Sequence, residues 1–339
     1  MSKEVLLETV KKIATPGLGI LAADESFPTI KKRFAAIKLE STPENHRRYR
    51  NLLFTTPNLN QYLCGVILFD ETFFQKSNTG VLFPEVLSQQ GILPGIKVDQ
   101  GLITLAQTDA EKTTQGLDGL EERLDKYRAG GAKFAKWRCV YNIASRQPSR
   151  AAIHANAELL ARYAAICQAQ GIVPIVEPEV LITGEHTIEK CAAVMESVLT
   201  RVFTALRMQR VLLEGMVLKP SMVTSGDVAM LQADTKEIAH LTVQTLKRVV
   251  PAAVPSINFL SGGQSPEAAT RNLNAMHQLG RLPWNLSFSY GRALQDPALQ
   301  LWQGKDENLA KAQQALEKRL QLNSAATLGK YNEKMEKAN

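Results

Sequence analysis

Residues 211–222 read VLLEGMVLKPSM. Apolar side chains occupy nearly every position up to Leu218, the pattern of a strand buried on both faces, as in a parallel sheet covered by helices. Lys219 follows this run, and Pro220 ends it. Burial or a second nearby cation lowers the pKa of an ammonium group, and the neutral amine attacks carbonyl carbons. The alternative is a lysine that extends into water from the end of a strand.

The predicted strand is one of eight short apolar runs that alternate with helical patterns. The runs cover residues 18–23, 65–69, 95–98, 132–140, 172–176, 211–218, 256–260 and 285–289. Amphipathic stretches between them include residues 116–129, 149–170, 187–208, 235–249 and 265–279. Eight strand–helix units within about 250 residues favour a closed barrel over an open doubly wound sheet. The sequence therefore predicts an α/β protein with a single (β/α)8 TIM barrel.

Helical patterns also flank the predicted barrel. Residues 3–14 predict an N-terminal helix, and residues 307–322 predict a C-terminal one. No stretch with the composition of a linker divides the chain between them. We therefore assign residues 1–328 to one barrel domain and the polar residues 329–339 to a flexible C-terminal tail.

The composition is that of a globular protein. Of the 339 residues 45% are hydrophobic and 22% are charged, which argues against a largely disordered chain. No apolar run approaches the roughly 20 residues of a membrane helix, and the N-terminal residues do not have the order of a signal peptide. Cys64, Cys139, Cys167 and Cys191 lack the spacing of disulfide or zinc motifs, so we expect them to be reduced core residues. We expect a cytoplasmic protein without membrane contact.

The net charge of +7 indicates a polyanionic partner. The basic residues are dispersed along the chain, and the densest cluster, residues 46–50, lies in a helical pattern. We interpret that cluster as a solvated helix face. A phosphorylated metabolite explains the charge as well as nucleic acid does, and we expect no nucleic-acid partner.

Charged residues follow or end most of the predicted strands. In a barrel of this kind the loops at the carboxyl ends of the strands meet on one face, where the chemistry takes place. The charged residues are Asp24, Lys97, Lys136, Arg138, Glu177, Glu179, Lys219 and Arg292. Such charges near a core are unfavourable unless they neutralise one another or meet a ligand. The pattern therefore predicts a charged site at one end of the barrel.

Eight groups of segments resemble class I fructose-1,6-bisphosphate aldolase, the Schiff-base type. They are GILAADES (19–26), GIKVD (95–99), TTQGLDGL (113–120), FAKWR (134–138), GIVPIVEPE (171–179), LEG and LKPSMVT (213–224), FLSGGQS (259–265) and FSYGRALQ (288–295). The resemblance runs from about residue 3 to Tyr331. Because the segments occur in the family's order, they are not explained by chance.

The resemblance implies the reversible, metal-independent cleavage of fructose 1,6-bisphosphate to dihydroxyacetone phosphate and glyceraldehyde 3-phosphate, in glycolysis and gluconeogenesis. Breaking a carbon–carbon bond beside a ketone leaves a carbanion, and a protonated imine on Lys219 accepts its electrons, so no cofactor is expected. The five histidines show no spacing such as H-x-x-H. The family also implies a homo-oligomer, usually a tetramer.

The resemblance also assigns the catalytic roles. Glu177 is the general acid that removes water from the carbinolamine, and Asp24 is the base for the C4 hydroxyl proton. Lys136 depresses the pKa of Lys219 and stabilises the carbinolamine. We expect Glu179 to lie near Glu177. Two close carboxylates resist joint ionisation, so Glu177 would stay protonated when the site requires it.

Two phosphate sites follow from the same resemblance. Glycine loops let backbone N–H groups approach an oxyanion, and an arginine adds a forked cation. For the ketone half, the residues are Ser261, Gly262, Gly263, Gly291 and Arg292. For the other phosphate, they are Ser26, Thr29, Arg33 and Lys97. Arg138 and Ser289 complete the predicted substrate-binding set.

Each assignment has an alternative that the residues alone leave open. Asp24 and Ser26 are also suitable helix caps, and Glu177 and Glu179 are also suitable surface partners for nearby cations. The glycines are often turn formers. The basic trio at residues 31–33 is typical of a solvent-facing segment.

The sequence departs from the animal enzymes of the family in two places. Those enzymes end in a tyrosine that reaches the active site, whereas this sequence ends EKAN, so we expect another group to exchange the enamine proton. Phe27-Pro28 stands where Thr-Gly is usual, and proline offers no N–H to a phosphate. A preference for fructose 1-phosphate or sedoheptulose 1,7-bisphosphate is therefore an alternative. A barrel kept as an inactive binding protein is another, but it predicts that catalytic residues are missing, and they are present.

Overall fold

Over residues 3–337, the part of the chain that the computed structural model describes, eight parallel strands form a closed barrel. The barrel strands are β1 (Gly19–Ala23), β2 (Leu63–Leu68), β3 (Leu93–Lys97), β6 (Phe134–Tyr141), β7 (Val173–Val180), β8 (Val217–Leu218), β9 (Ser256–Phe259) and β10 (Asn285–Tyr290). A separate antiparallel hairpin consists of β4 (Leu102–Thr104) and β5 (Lys112–Thr114). Since β10 pairs with β1, the barrel is closed and the predicted TIM barrel is confirmed.

Helices connect and surround the strands. They are α1 (Lys3–Ile13), α2 (Phe27–Ala35), α3 (Pro43–Phe54), α4 (Asp70–Phe73), α5 (Phe83–Gln89), α6 (Leu120–Ala129), α7 (Arg150–Ala169), α8 (Ile188–Met208), α9 (Thr235–Val249), α10 (Pro266–His277), α11 (Arg292–Trp302), α12 (Leu309–Thr327) and α13 (Lys334–Lys337). Several begin where the sequence supplies an N-cap: the side chains of Ser149, Thr187 and Asp234 accept backbone N–H bonds from the first turns of α7, α8 and α9.

The apolar stretch at residues 211–218 forms less strand than its pattern predicts. Leu213–Gly215 form a 3₁₀ turn, and only Val217–Leu218 form a strand. The side chain of Gln168, on α7, donates to the Leu212 carbonyl oxygen at 2.8 Å and accepts from the Leu212 N–H at 2.9 Å. These backbone groups bond to a side chain from a distant helix, so they do not pair within the sheet.

Helix α1 packs against the apolar interior of the barrel. Its buried residues Leu6, Val10 and Ile13 belong to one cluster with interior strand residues such as Phe134 and Val217. These three positions have the spacing of one helix face, which is the pattern that predicted α1 from the sequence. A second and larger cluster fills the space between the strands and the outer helices. The two apolar layers together fix the strands that carry the site.

The segment after Leu328 has defined contacts in its described part. Tyr331 is buried, and its N–H donates to the side chain of Asn274 at 3.0 Å. Arg319, on α12, pairs with Glu336 at 2.7 Å. Tyr331 and Glu336, in the segment that we expected to form a flexible tail, therefore contact α10 and α12, and the division between barrel domain and tail stays a prediction.

Two expectations about composition have different outcomes. The four cysteines are buried and free, as predicted. The interpretation of residues 46–50 as a solvated face is wrong, because His46 and Arg50 are buried with partners on other segments. In the described residues, no helix has both the length and the apolar character needed to cross a bilayer.

The packing of Phe134 inside the barrel predicts a strong effect of one methyl group. A Cβ added at Gly95 would lie 2.1 Å from Cε2 of Phe134, so the ring must move. We expect Gly95→Ala to lower the free energy of unfolding by about 1–3 kcal/mol, measured by denaturant titration. Combining it with Phe134→Leu should cost less than the sum of the two single changes, because the smaller side chain leaves room. Additive losses would contradict this explanation.

Candidate active site

The carboxyl ends of the barrel strands surround a cavity of about 790 Å³. Its lining includes the predicted residues Asp24, Ser26, Thr29, Arg33, Lys97, Lys136, Arg138, Glu177, Glu179, Lys219, Ser261, Gly262, Ser289, Gly291 and Arg292. The structure describes all of the predicted site residues. Among them, only Gly263 lies outside this lining. Leu102, in the β4–β5 hairpin, also lines the cavity, and this hairpin was not predicted from the sequence.

Lys219 lies immediately after β8 and is 3% exposed. Its backbone N–H donates to the Val176 carbonyl oxygen at 2.8 Å, so its backbone is still hydrogen-bonded to the neighbouring strand β7. Among the described carboxylates, only that of Glu177 approaches its Nζ within 4 Å, with Oε1 at 3.4 Å. Burial lowers the pKa of Lys219; the Glu177 carboxylate opposes this shift, and the Lys136 ammonium adds to it. The structure therefore shifts Lys219 toward the neutral amine and excludes a lysine that extends into water.

Lys136, on β6, lies between two carboxylates. Its Nζ is 2.7 Å from Asp24 Oδ2 and 3.1 Å from Glu177 Oε2. Burial alone would lower the pKa of Lys136, but the Asp24 and Glu177 carboxylates outweigh it and raise that pKa. Burial alone would raise the pKa of Asp24, but Lys136 and Lys219 outweigh it and lower that pKa. Lys136 is therefore held as a cation and Asp24 as an anion. The pKa of Lys219 is lowered, whereas that of Lys136 is raised.

The parallel strands explain why these side chains meet. Successive side chains on a strand point to opposite faces, so Lys136 and Arg138 share one face of β6, and Glu177 and Glu179 share one face of β7. The register pairs Arg138 with Glu177 across the two strands. The Arg138 Nε donates to Glu179 Oε2, and this pairing outweighs burial and raises the pKa of Arg138. Glu177 and Glu179 are both buried, so the alternative that they are surface residues is excluded.

Arg33 reaches the cavity from α2 and pairs with a carboxylate that the sequence did not nominate. Its Nη1 lies 2.6 Å from Glu25 Oε1. Glu25 also pairs with Arg50 on α3 and accepts a hydrogen bond of 2.9 Å from Gln295 on α11. Burial alone would raise the pKa of Glu25, but Arg33 and Arg50 outweigh it and lower that pKa. No local signal reveals these partners, since Gln295 lies 270 positions from Glu25.

A cationic corner lies where the loops after β9 and β10 meet. Gly262 and Gly263 have φ values of +57° and +92°, a conformation that favours glycine. A Cβ added at Gly263 would lie 3.7 Å from Arg292 Nη2, and one at Gly291 would lie 3.5 Å from Arg33 Nη2. Both guanidinium groups therefore lie against glycine backbone, close to the N-terminus of α11, which attracts anions. Arg33, which we had nominated for the other phosphate, lies beside Gly291.

The remaining nominated cation, Lys97, has a partner of its own. Its Nζ lies 2.6 Å from Asp99 Oδ1 and donates to the Asp99 carbonyl oxygen at 2.8 Å. The hydroxyl oxygens of Ser26 and Thr29 are 3.2 Å apart at the start of α2. Ser26 occupies the N-cap position without a side-chain cap bond, and the Asp24 carboxylate pairs with Lys136. The capping alternative is therefore not realised for either side chain.

Fold and site together define a class of protein. A (β/α)8 barrel with a buried lysine of lowered pKa, a second lysine and acidic groups at its carboxyl end has the arrangement expected of an enzyme that acts through a lysine imine. No group of three or more His, Cys, Asp or Glu side chains suited to a metal ion occurs within residues 3–337.

Comparison with known proteins identifies the family. Residues 5–339 match the family model of class-I fructose-bisphosphate aldolase. The chain is 57% identical over 327 residues to cytosolic fructose-bisphosphate aldolase 6 of Arabidopsis thaliana, covering 96% of this chain and 91% of that protein. It is 56% identical over 336 residues to fructose-bisphosphate aldolase 1 of Toxoplasma gondii, covering 98% and 93%. The chain belongs to the class-I fructose-bisphosphate aldolase family, whose members are metal-independent lyases that form a Schiff base.

A solved structure agrees with this assignment. Fructose-bisphosphate aldolase from Plasmodium falciparum, in complex with TRAP and a small-molecule inhibitor, superposes with a TM-score of 0.96. The two chains are 53% identical, and the match covers 97% of this chain and 95% of that chain. The barrel and its family are therefore supported by sequence and by structure.

The contacts of Lys136 predict a pH effect. Replacing it in Lys136→Met removes a cation near Lys219 and frees the Asp24 carboxylate, and both changes raise the pKa of Lys219. We expect the titration of Lys219, followed by NMR of isotope-labelled lysine, to move to higher pH. Imine formation should then become slower at neutral pH and recover only in part as the pH rises, because the variant also lacks the cation that stabilises the carbinolamine step. Lys133→Met, at an exposed position just before β6, should leave the titration in place. An unchanged titration in Lys136→Met would refute the assignment.

Proposed function

We propose that this protein reversibly cleaves fructose 1,6-bisphosphate to dihydroxyacetone phosphate and glyceraldehyde 3-phosphate, as a glycolytic and gluconeogenic aldolase. The observation that carries this proposal is the buried Lys219 amine, 3.4 Å from Glu177, in the cavity at the carboxyl end of the barrel. Membership of the class-I family supports the reaction type. The role of each side chain is the one that the family resemblance implies, and its position and charge support that role.

The imine forms first. The neutral Lys219 Nζ attacks the C2 carbonyl carbon of the open-chain sugar, and the carbonyl oxygen becomes the hydroxyl of a carbinolamine. Glu177 in its carboxylic acid form donates its proton to that hydroxyl, the C–O bond breaks to release water, and the lone pair of Nζ forms the protonated imine. The Oε2 of Glu177 is buried, and its ion-pair partner among the described residues is Lys136. The Lys136 ammonium, 3.1 Å from that oxygen, stabilises negative charge during the step.

Cleavage follows at the C3–C4 bond. The Asp24 carboxylate accepts the proton of the C4 hydroxyl, the bond breaks, and glyceraldehyde 3-phosphate leaves as the aldehyde. The electron pair of the broken bond moves into the imine and forms an enamine. Pairing with Lys136 keeps Asp24 ionised for this role. Protonation of the enamine and hydrolysis of the imine then release dihydroxyacetone phosphate.

The phosphates of the substrate bind at two places. The cationic corner of Ser261, Gly262, Gly263, Gly291, Arg292 and Arg33 suits the phosphate of the ketone half. The other phosphate lies with Ser26, Thr29, Lys97 and Arg138, and Glu179 holds Arg138 in place. Ser289 is buried, and its Oγ has no hydrogen-bond partner in the described structure, so we assign it to a substrate oxygen.

Trapping the imine tests the mechanism. Borohydride reduction in the presence of dihydroxyacetone phosphate should attach the ketone to Lys219, as located by peptide mass spectrometry. Lys219→Met should lose the adduct and at least roughly three orders of magnitude of cleavage rate. The exposed Lys133→Met serves as the control and should keep both. Cleavage should be unchanged in EDTA; an adduct elsewhere, or activity that EDTA abolishes, would refute the proposal.

A second candidate function is an aldolase that prefers fructose 1-phosphate or sedoheptulose 1,7-bisphosphate. The observation that favours fructose 1-phosphate, which lacks the second phosphate, is Pro28, which lines the cavity near the proposed second phosphate site and has no N–H to donate. Lys97 and Arg138 still supply cations there. We therefore expect kcat/KM for fructose 1,6-bisphosphate to exceed that for fructose 1-phosphate. The reverse order would favour the second candidate.

We further propose that the protein is a cytoplasmic homotetramer. The support is the family assignment, together with relatives whose names describe them as cytosolic. Light scattering coupled to size-exclusion chromatography should give about four times the chain mass of 37.4 kDa. A mass equal to one chain would contradict the assembly.

A further inference from the structure

The Glu25 carboxylate has more positive partners than a single buried charge requires. Its Oε2 accepts a hydrogen bond from Arg50 Nη2, and its Oε1 accepts one from Gln295 Nε2 at 2.9 Å. Arg33 Nη1 adds an ion pair at 2.6 Å to Oε1. Two arginines therefore share one carboxylate, and Arg50 and Gln295 supply the hydrogen bonds that satisfy its two oxygens.

The two arginines have different surroundings. The side chain of Arg50 is 2% exposed and does not line the cavity, whereas that of Arg33 is 14% exposed and does. The Arg50 guanidinium also lies 5.7 Å from the centre of the Tyr49 ring. Arg33 makes one long hydrogen bond, of 3.4 Å, to Gln295. Arg50 is held in place, and Arg33 is the one that can reach a ligand.

Gln295 is fixed on both sides of its amide. Its Nε2 donates to the Ala22 carbonyl oxygen at 2.6 Å as well as to Glu25, and its Oε1 accepts from the Tyr49 hydroxyl at 3.0 Å. These bonds define the orientation of the amide, whose Nε2 donates to both the Ala22 carbonyl oxygen and Glu25. The hydrogen bond from Gln295 to Glu25 therefore does not depend on Arg33.

We propose that Arg50, with Gln295, is a positioning residue that compensates the charge of Glu25 and thereby frees Arg33 to bind the ketone-half phosphate; this inference rests on the proposed function. When Arg33 turns toward a phosphate, Glu25 keeps the Arg50 cation on Oε2 and the Gln295 donor on Oε1. Without Arg50, the same movement would leave a buried carboxylate without a cation, which is strongly unfavourable. Arg33 would then stay on Glu25, and phosphate binding would weaken.

Two ketones that differ in the phosphate test this role. Dihydroxyacetone phosphate and dihydroxyacetone form the same kind of imine, and only the first needs the cationic corner. In Arg50→Met, we expect the concentration of dihydroxyacetone phosphate that half-saturates borohydride trapping at Lys219 to rise roughly tenfold or more. Trapping of dihydroxyacetone should stay at the wild-type level. Arg47→Met, which removes a more exposed arginine from the same helix, is the control and should change neither.

A rescue variant separates this role from a merely structural one. In Glu25→Gln combined with Arg50→Met, no buried carboxylate retains Arg33, so the affinity for dihydroxyacetone phosphate should return to within about threefold of the wild type. Glu25→Gln alone should bind at least as tightly as the wild type, and it supplies the test if Arg50→Met does not fold. Thermal unfolding of each variant reports whether the barrel is intact.

The outcomes distinguish the inference from the reaction itself. An equal loss for both ketones, no loss in Arg50→Met, or no recovery in the double variant would overturn the role of Arg50. Weaker binding in Glu25→Gln alone would also overturn it. If the wild type forms no adduct on Lys219 with either ketone, the proposed function fails. If the wild type is trapped and the variants lack the predicted selectivity, only the inference fails.

Discussion

The ammonium of Lys136 pairs with two carboxylates at once, the buried Glu177 and the partly buried Asp24, and the site depends on that arrangement. It lies 2.7 Å from Asp24 and 3.1 Å from Glu177, in surroundings where unpaired charge is costly. Burial lowers the pKa of Lys219, and the nearby Lys136 cation adds to that shift, so the pKa falls although the Glu177 carboxylate opposes it. One lysine is stabilised as a cation and its neighbour is shifted toward the neutral amine, so two side chains of the same type have different chemistry.

Closure of the barrel also brings together the charged residues around Glu25. Pairing of β1 with β10 places the loop after β1 beside the start of α11. Glu25 and Gln295 come into contact in this way, and Arg33 comes to lie against Gly291. The cationic corner thus contains residues from both ends of the barrel sequence. Glu25 offsets only part of this positive charge, since its one carboxylate pairs with both Arg33 and Arg50.

Local patterns predicted the barrel well and its details less well. The eight apolar runs and the helical patterns between them follow from burial and periodicity, which are properties of short segments. The same reasoning overestimated the strand at residues 211–218, because Gln168 on a distant helix satisfies the backbone there. It also assigned residues 46–50 to a solvated face, although Arg50 has a buried acidic partner on the loop after β1. In both places a long-range hydrogen bond outweighed the local pattern.

The sequence by itself determined the alternation of strands and helices, the motifs of the family and the chemical identity of the lysines and acids at the ends of the strands. These features depend only on the type of each residue and on the spacing between residues. Only the tertiary structure decided which acid meets which cation: Lys136 with Asp24 and Glu177, Arg138 with Glu179, and Arg33 with Glu25. The physical reason is that pKa shifts and ion pairs depend on distances of a few ångströms and on burial. Closure of the barrel determines these distances and this burial for residues that are far apart in the chain.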